Sequence, residues 1–180
     1  DDKQMCFSHE QFVHLIRFLN KSSVDAIEIS YGTMDYALNI FRGDLPVSLV
    51  MNHNKVFKTR NPFLSGFRKK VVIPFIRKRL LPFSPMYNLE YAILAKQYTN
   101  KPVISVGGFR SGREIEHAIR EQEIDFVSLC RPFLREPDFA TRLREDPLYT
   151  SKCTNCNYCA VMCDSEYETK CYKKNRDGNN

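Results

Sequence analysis

Three short apolar runs constrain the fold more than any other feature of the sequence. Residues 26–30 (Ala-Ile-Glu-Ile-Ser), 103–106 (Val-Ile-Ser-Val) and 126–129 (Phe-Val-Ser-Leu) each stand beside a segment of helical periodicity. Ser8-His9-Glu10-Gln11 has the spacing of a capping box, and Phe12, Leu15, Ile16 and Leu19 then share one helical face. Leu89, Ala92, Ile93 and Leu94 seed a second helix that stops before Lys101-Pro102. Ser111-Gly112-Arg113-Glu114 is another capping box, opening a helix through Ile115, Ala118 and Ile119. Arg131-Pro132 follows the last apolar run, with a final helix expected around residues 138–145. Helices alternating with short apolar strands predict an α/β fold, a parallel sheet covered by helices.

Between Phe41 and Tyr87 that alternation stops. This interruption holds Pro46, Pro62, Pro74, Pro82 and Pro85, and a connection so long is expected to be functional or a mobile insertion. Residues 45–89 carry nine basic side chains and no acidic one, while the rest of the chain carries 18 basic against 21 acidic. A basic character this local argues against a protein that coats nucleic acid in general. Arg68-Lys69-Lys70 and Arg77-Lys78-Arg79 flank Val71-Val72-Ile73-Pro74-Phe75-Ile76. The plain expectation is a solvated helical face whose long stems cover apolar surface. Two functional uses stand beside it: a positive rim steering a phosphorylated substrate or a nicotinamide donor, and a membrane-surface patch, which Pro74 is expected to interrupt. No apolar run approaches the ~20 residues of a membrane span. The start, Asp1-Asp2-Lys3, lacks the pattern of a secretion signal, so a cytoplasmic location is expected. His9, His14, His53 and His117 are scattered and read as surface or structural residues.

Seven cysteines are unevenly placed: Cys6 and Cys130 stand alone, and Cys153, Cys156, Cys159, Cys163 and Cys171 crowd the last thirty residues. An odd number at C-x-x-C spacing argues for metal ligation in a reducing compartment rather than a disulfide framework. Thiolates two residues apart converge on one metal or one cubane as the backbone wraps each corner. The Cys159–Cys163 interval matches a bacterial ferredoxin run, although Asp164 stands where proline is expected, and any four of the five would also satisfy zinc. A second candidate site is Val106-Gly107-Gly108-Phe109-Arg110-Ser111, where two residues without Cβ precede a capped helix start suited to an anion. Leu129-Cys130-Arg131-Pro132 would form its other half, with Arg131 offering forked donors. The alternative is a tight strand–helix turn with no ligand.

Residues 26–33, 106–111 and 125–138 together resemble successive landmarks of the old yellow enzyme (NADH:flavin oxidoreductase) family, in order and in spacing. Cys153-Thr154-Asn155-Cys156-Asn157-Tyr158-Cys159 resembles the cysteine segment of its dienoyl-CoA reductase-like branch, so the resemblance runs to about Tyr172. It implies the C-terminal part of an FMN-binding (β/α)8 TIM barrel, with the three runs as strands six to eight. A whole barrel takes about 250 residues. The implied division is a partial flavin-binding barrel over 1–150 with the basic insertion 45–89, a cysteine-cluster segment over 151–172, and a disordered tail over 173–180. FMN phosphate would meet Gly107, Gly108, Phe109, Arg110, Cys130 and Arg131. Cys130 stands where the family usually has glycine, which crowds the backbone approach. A [4Fe–4S] cluster would take Cys153, Cys156, Cys159 and Cys171, leaving Cys163 as a spare thiol or alternative ligand.

The implied chemistry is hydride transfer from reduced flavin to an activated double bond of a small-molecule substrate, with NAD(P)H as donor. No catalytic acid is assigned, although Tyr31 and Tyr36 lie just past the first run. Without strands one to five, two sheet edges and half an apolar core would be exposed. The chain is therefore expected to be aggregation-prone or to need a partner carrying the missing half. Two other readings are a catalytically incompetent remnant that keeps only its metal cluster, and a zinc-stabilised basic module that binds nucleic acid.

Overall fold

The computed structural model describes residues 8–30, 37–54, 57–59, 61–163 and 165–173. Its first helix, α1 (His9–Lys21), starts as its sequence dictates: Ser8 Oγ accepts from Gln11 N–H, and the Gln11 side chain accepts from Ser8 N–H. Strand β1 (Ile27–Ile29) follows, then α2 (Ala37–Ile40), α3 (Val47–His53) and α4 (Pro62–Phe67). A π-turn, Arg68–Val72, joins α4 to α5 (Ile73–Arg77). Next come α6 (Leu89–Lys96), β2 (Val103–Val106) and α7 (Gly112–Glu116), the last extended by a π-turn over His117–Glu121. Strand β3 (Phe126–Ser128) leads to α8 (Arg131–Arg135), α9 (Phe139–Glu145) and α10 (Tyr158–Met162).

The three strands form one parallel sheet in the order β1-β2-β3, with Ile27 opposite Val103 and Ile104 opposite Phe126. Ile27 and Ile29 of β1 and Val103 of β2 face a core completed by Ile16, Leu89, Ala92, Ala95, Phe109, Ala118 and Ile124. Polar joints fix the helix-to-strand connections. Asn20 Oδ1 accepts from Thr99 Oγ1 and Asn100 N–H, and Lys101 Nζ donates to the carbonyls of Ser22 and Val24. Asp125 accepts from Val103 N–H and Lys96 Nζ. Burial works against its charge, but those donors more than offset it and hold its pKa below the usual value. The sheet is consistent with part of a barrel, and Phe126 on its edge strand is 57% exposed.

The insertion is built rather than loose. Val50 and Met51 of α3, Ile73 of α5 and Val161 of α10 form a second core, with Leu45, Val47, Leu49 and Phe57 packed against it. The cysteine segment and the insertion therefore share a hydrophobic centre. Pro74 does not interrupt the helix as its sequence suggests. Proline in a helix interior lacks an N–H and clashes with the preceding turn, and the π-turn over Arg68–Val72 widens that turn, so α5 continues past it. Helix α8 is a further departure, since Pro132 at its start is a position proline tolerates. Cys6, Tyr31, Tyr36, Lys55, Arg60 and residues 174–180 lie outside the described residues.

Candidate functional site

Because β2 and β3 are parallel, both expected phosphate segments emerge at the same sheet edge. Gly107 and Gly108 take φ of 121° and 81°, which residues with a Cβ rarely adopt. Their bare faces are covered by the chain itself. A Cβ on Gly107 would stand 2.4 Å from the Tyr87 ring, and one on Gly108 would stand 2.7 Å from both Met86 N and Ser84 O. The amides at the start of α7 are also engaged: Arg110 N–H and Ser111 N–H donate to the Glu114 carboxylate, and Gly112 N–H donates to Tyr149 O. Phe109 is buried in the core and Cys130 is exposed.

The cationic half of the expected site is better formed. Arg110 donates through Nη1 to Cys153 O, while its buried Nε has no partner. Arg131 donates through Nη1 to Phe41 O, Arg42 O and Asn157 Oδ1, at 2.7, 3.0 and 2.8 Å. Both arginines thus reach from strand ends to the cysteine segment. Tyr87 lies among them: its hydroxyl donates to Ile40 O, the Arg42 guanidinium lies 4.6 Å from its ring centroid, and burial pushes its pKa up despite Arg131 and Arg42. An orphaned, buried guanidinium nitrogen, with a second arginine following the neighbouring parallel strand, fits a flavin phosphate; the glycine turn, filled by residues 84–87, adds nothing to that fit.

The cysteine segment is wrapped around the same edge. Ser151 N–H donates to Arg110 O, and Ser111 and Thr150 form a β-bridge. Asn155 and Asn157 take left-handed φ of 53° and 57° and are buried, turning the chain at each corner between cysteines. Asp44 N–H donates to Asn155 O, and Gly43 packs so closely that a Cβ there would stand 2.2 Å from that oxygen. Cys153 lies within electrostatic reach of Cys156 and Cys171, and Cys159 within reach of Cys153 and Cys156. Burial raises the Cys153 thiol and pushes Cys159 up to about 11, with Arg131 acting against both. Arg135 Nη1 is 3.8 Å from Cys171 Sγ. Cys163 is exposed and bonds the Ala160 carbonyl of its own helix. Among the described residues no group of three or more His, Cys, Asp or Glu side chains is placed to hold a metal ion, so the ligand set expected from sequence is not closed as it stands.

Residues 73–148 match the NADH:flavin oxidoreductase / NADH oxidase family. Over this segment, less than half of the chain, it is similar to that family. It is also 27% identical over 137 residues to the 4,4'-dithiodibutanoate disulfide reductase of Rhodococcus erythropolis, an alignment covering 76% of this chain and 32% of that protein. The chain thus spans about a third of that relative's length. No solved structure matches it.

For an NADH:flavin oxidoreductase family segment, the expected cofactor is FMN and the expected fold a TIM barrel, of which the three-stranded parallel sheet is consistent with a part. The family match takes in β2, both glycines, β3, Cys130 and Arg131, and stops short of the cysteine segment that begins at Cys153. One residue important to the site escaped sequence reasoning. Glu136, buried at 7% exposure, accepts from the Tyr149 hydroxyl, Ser151 Oγ and Lys152 N–H, and so ties α8 to the approach to Cys153. Burial opposes its charge, but the donors and the Arg142 charge outweigh it and lower its pKa. Nothing in the run Arg135-Glu136-Pro137 distinguishes it from a surface carboxylate. An open cleft of about 560 Å³ lies beside the cysteine segment, between Gly43–Pro46, Arg77, Leu80–Pro82 and Tyr158.

Proposed function

We propose that this chain carries the phosphate end of an FMN site and the cysteine cluster of a flavin-dependent oxidoreductase of the ene-reductase type. Arg110 and Arg131 hold the FMN phosphate, at the ends of what correspond to the seventh and eighth barrel strands. The observation carrying this reading is the convergence of both arginines on one edge, with Arg110 Nε buried and unpartnered. Gly107, Gly108, Phe109 and Cys130 contribute backbone to the same edge once residues 84–87 give way. Bound FMN supplies hydride transfer; the protein orients and screens it. NAD(P)H is the electron donor and a small molecule with an activated double bond the acceptor. The relative's name favours a second acceptor, a disulfide, to which one hydride and one proton give two thiols.

Cys153, Cys156, Cys159 and Cys171 would be the ligands of a [4Fe–4S] cluster, supported by the electrostatic reach of Cys153 to Cys156 and Cys171 and of Cys159 to Cys153 and Cys156, and their side chains would have to close from their present positions to hold it. Arg131 and Arg135 place positive charge beside these thiols. Groups that contact the flavin ring and protonate the substrate come from beyond the described residues, either on a longer chain or on a partner. Thiols kept free suit the cytoplasm, and no described helix is long and apolar enough to cross a membrane.

The test of the flavin reading is fluorescence titration of FMN and of riboflavin with the chain. The proposal requires FMN to bind at least tenfold tighter than riboflavin, with that preference lost in Arg110→Ala and Arg131→Ala. Equal affinity for the two flavins, or a preference indifferent to both substitutions, overturns it.

A further inference from the structure

The helical run from α4 through the π-turn to α5 presents an apolar stripe that no apolar side chain among the described residues covers, with only the Arg79 guanidinium lying 4.2 Å from the Phe75 ring centroid. Phe63, Phe67, Val71 and Phe75 recur every fourth residue and are 88%, 56%, 52% and 55% exposed, with Leu64 beside them at 41%. Four-residue steps drift by about 40° around an α-helix, which would spread these four side chains over about 120°. The i→i+5 bonding of the π-turn over Arg68–Val72 turns less per residue and takes back part of that drift. The result is one narrow face about 18 Å long. Ile73, on the opposite side, is buried in the second core and fixes the run to the protein.

Charge decides what such a face can meet. Lys70 and Lys78, three residues after Phe67 and Phe75, are exposed on the flank of the stripe, whereas Lys69 and Arg77 share the far side with Ile73; residues 45–89 contain no acid to neutralise any of them. Two copies pairing through this face would bring like charges together, so a second copy is disfavoured. The surface is a single convex helix face rather than a groove, which does not suit a peptide. Leucine and valine beside the phenylalanines offer nothing to nucleobase stacking, but they do bury in acyl chains. Basic side chains around an aromatic and aliphatic stripe are the composition of a helix lying in a membrane interface.

We infer that the α4–α5 run docks this protein peripherally on an anionic lipid surface, with Phe63, Phe67, Val71 and Phe75 in the acyl boundary and Lys70 and Lys78 among the headgroups. The inference is independent of the flavin reading. It also gives the basic insertion a role that steering a soluble substrate does not, since steering makes no use of exposed phenylalanine.

Co-sedimentation of the full 180-residue chain with vesicles tests it. Phosphatidylcholine vesicles are compared with vesicles containing phosphatidylserine, at low and at high salt. Binding is expected on the anionic vesicles only and is expected to weaken with salt. Phe63→Ser with Phe67→Ser lowers partitioning at least tenfold. Lys70→Gln with Lys78→Gln lowers it about 25-fold, at about fivefold per charge. These side chains are exposed, and unchanged far-ultraviolet circular dichroism verifies that each variant folds. No pelleting, equal pelleting on neutral vesicles, or variants that bind as the parent does would overturn the inference. So would a chain that ignores vesicles but binds single-stranded RNA, or that self-associates through these phenylalanines.

Discussion

Replacing Glu136 probes the join between the sheet edge and the cysteine segment. Its carboxylate accepts three hydrogen bonds, from the Tyr149 hydroxyl, Ser151 Oγ and Lys152 N–H, and Ser151 Oγ in turn accepts from Cys153 N–H. Hydrogen bonds to a charged acceptor are worth about 1.5–3 kcal/mol each before the donors recover water. Tyr149 is half-exposed and recovers most of its loss, whereas Ser151 is buried and does not. Glu136→Ala is therefore expected to destabilise the fold by about 3 kcal/mol, lowering Tm by about 6–12 °C for a chain of this size. Glu136→Gln keeps one acceptor oxygen for Ser151 and Lys152, and the tyrosine hydroxyl turns to accept from the amide, so the cost is about 1 kcal/mol. Urea unfolding followed by circular dichroism measures both, and the reaction rate of Cys153 with a thiol reagent reports local release. The folded pKa of Glu136 is lowered, so its contribution is complete above the ordinary carboxylate range and disappears as pH falls through the lower, folded value. That acid-side loss should vanish in Glu136→Gln. Equal destabilisation by Gln and Ala, or a cost below about 0.5 kcal/mol for Ala, would refute the reasoning.

Other substitutions test the same edge. Gly43→Ala places a Cβ within 2.2 Å of Asn155 O, a backbone clash expected to cost about 1–3 kcal/mol and to speed thiol labelling of Cys156, read by unfolding and by labelling kinetics. Arg131→Ala strands the Phe41 and Arg42 carbonyls and Asn157 Oδ1, and is expected to cost about 2–4 kcal/mol. Arg131→Lys keeps the charge and three donors on one nitrogen but on a stem one atom shorter, and should recover only part of that loss in the same assay. Lys101→Met removes the donors to Ser22 O and Val24 O and should lower stability by about 1–2 kcal/mol without changing thiol labelling.

Local signals were legible in the sequence wherever the structure is decided locally. Both capping boxes form as spelled, at Ser8–Gln11 and Ser111–Glu114, because each needs only its own four residues. The three apolar runs became strands of one parallel sheet because β-branched and aromatic residues were bounded by turns. Features set by distant partners were not legible. Pro74 looks like a helix breaker until the π-turn before it is seen. Val161 shows no sign in sequence that it will share a core with Val50 and Ile73, more than eighty residues earlier. The Gly107-Gly108 pair illustrates the limit most plainly. A tight turn without Cβ atoms was readable, but only the structure shows its positive φ angles and Tyr87, Met86 and Ser84 lying against it. Arg110 and Arg131 were chosen for a phosphate, and their bonds to Cys153 O and Asn157 tie them also to the cysteine segment, a link that no spacing encodes.

The central claim is that this chain assembles a redox site from the sheet edge and the cysteine segment. Anaerobic reconstitution with iron, sulfide and FMN, followed by the visible absorption spectrum before and after dithionite, tests it most directly. The account predicts a flavin band together with a broad iron–sulfur absorption. Both bleach on reduction, and the broad absorption is lost in Cys171→Ser but kept in Cys163→Ser. A colourless protein, or one that holds only zinc, would contradict it.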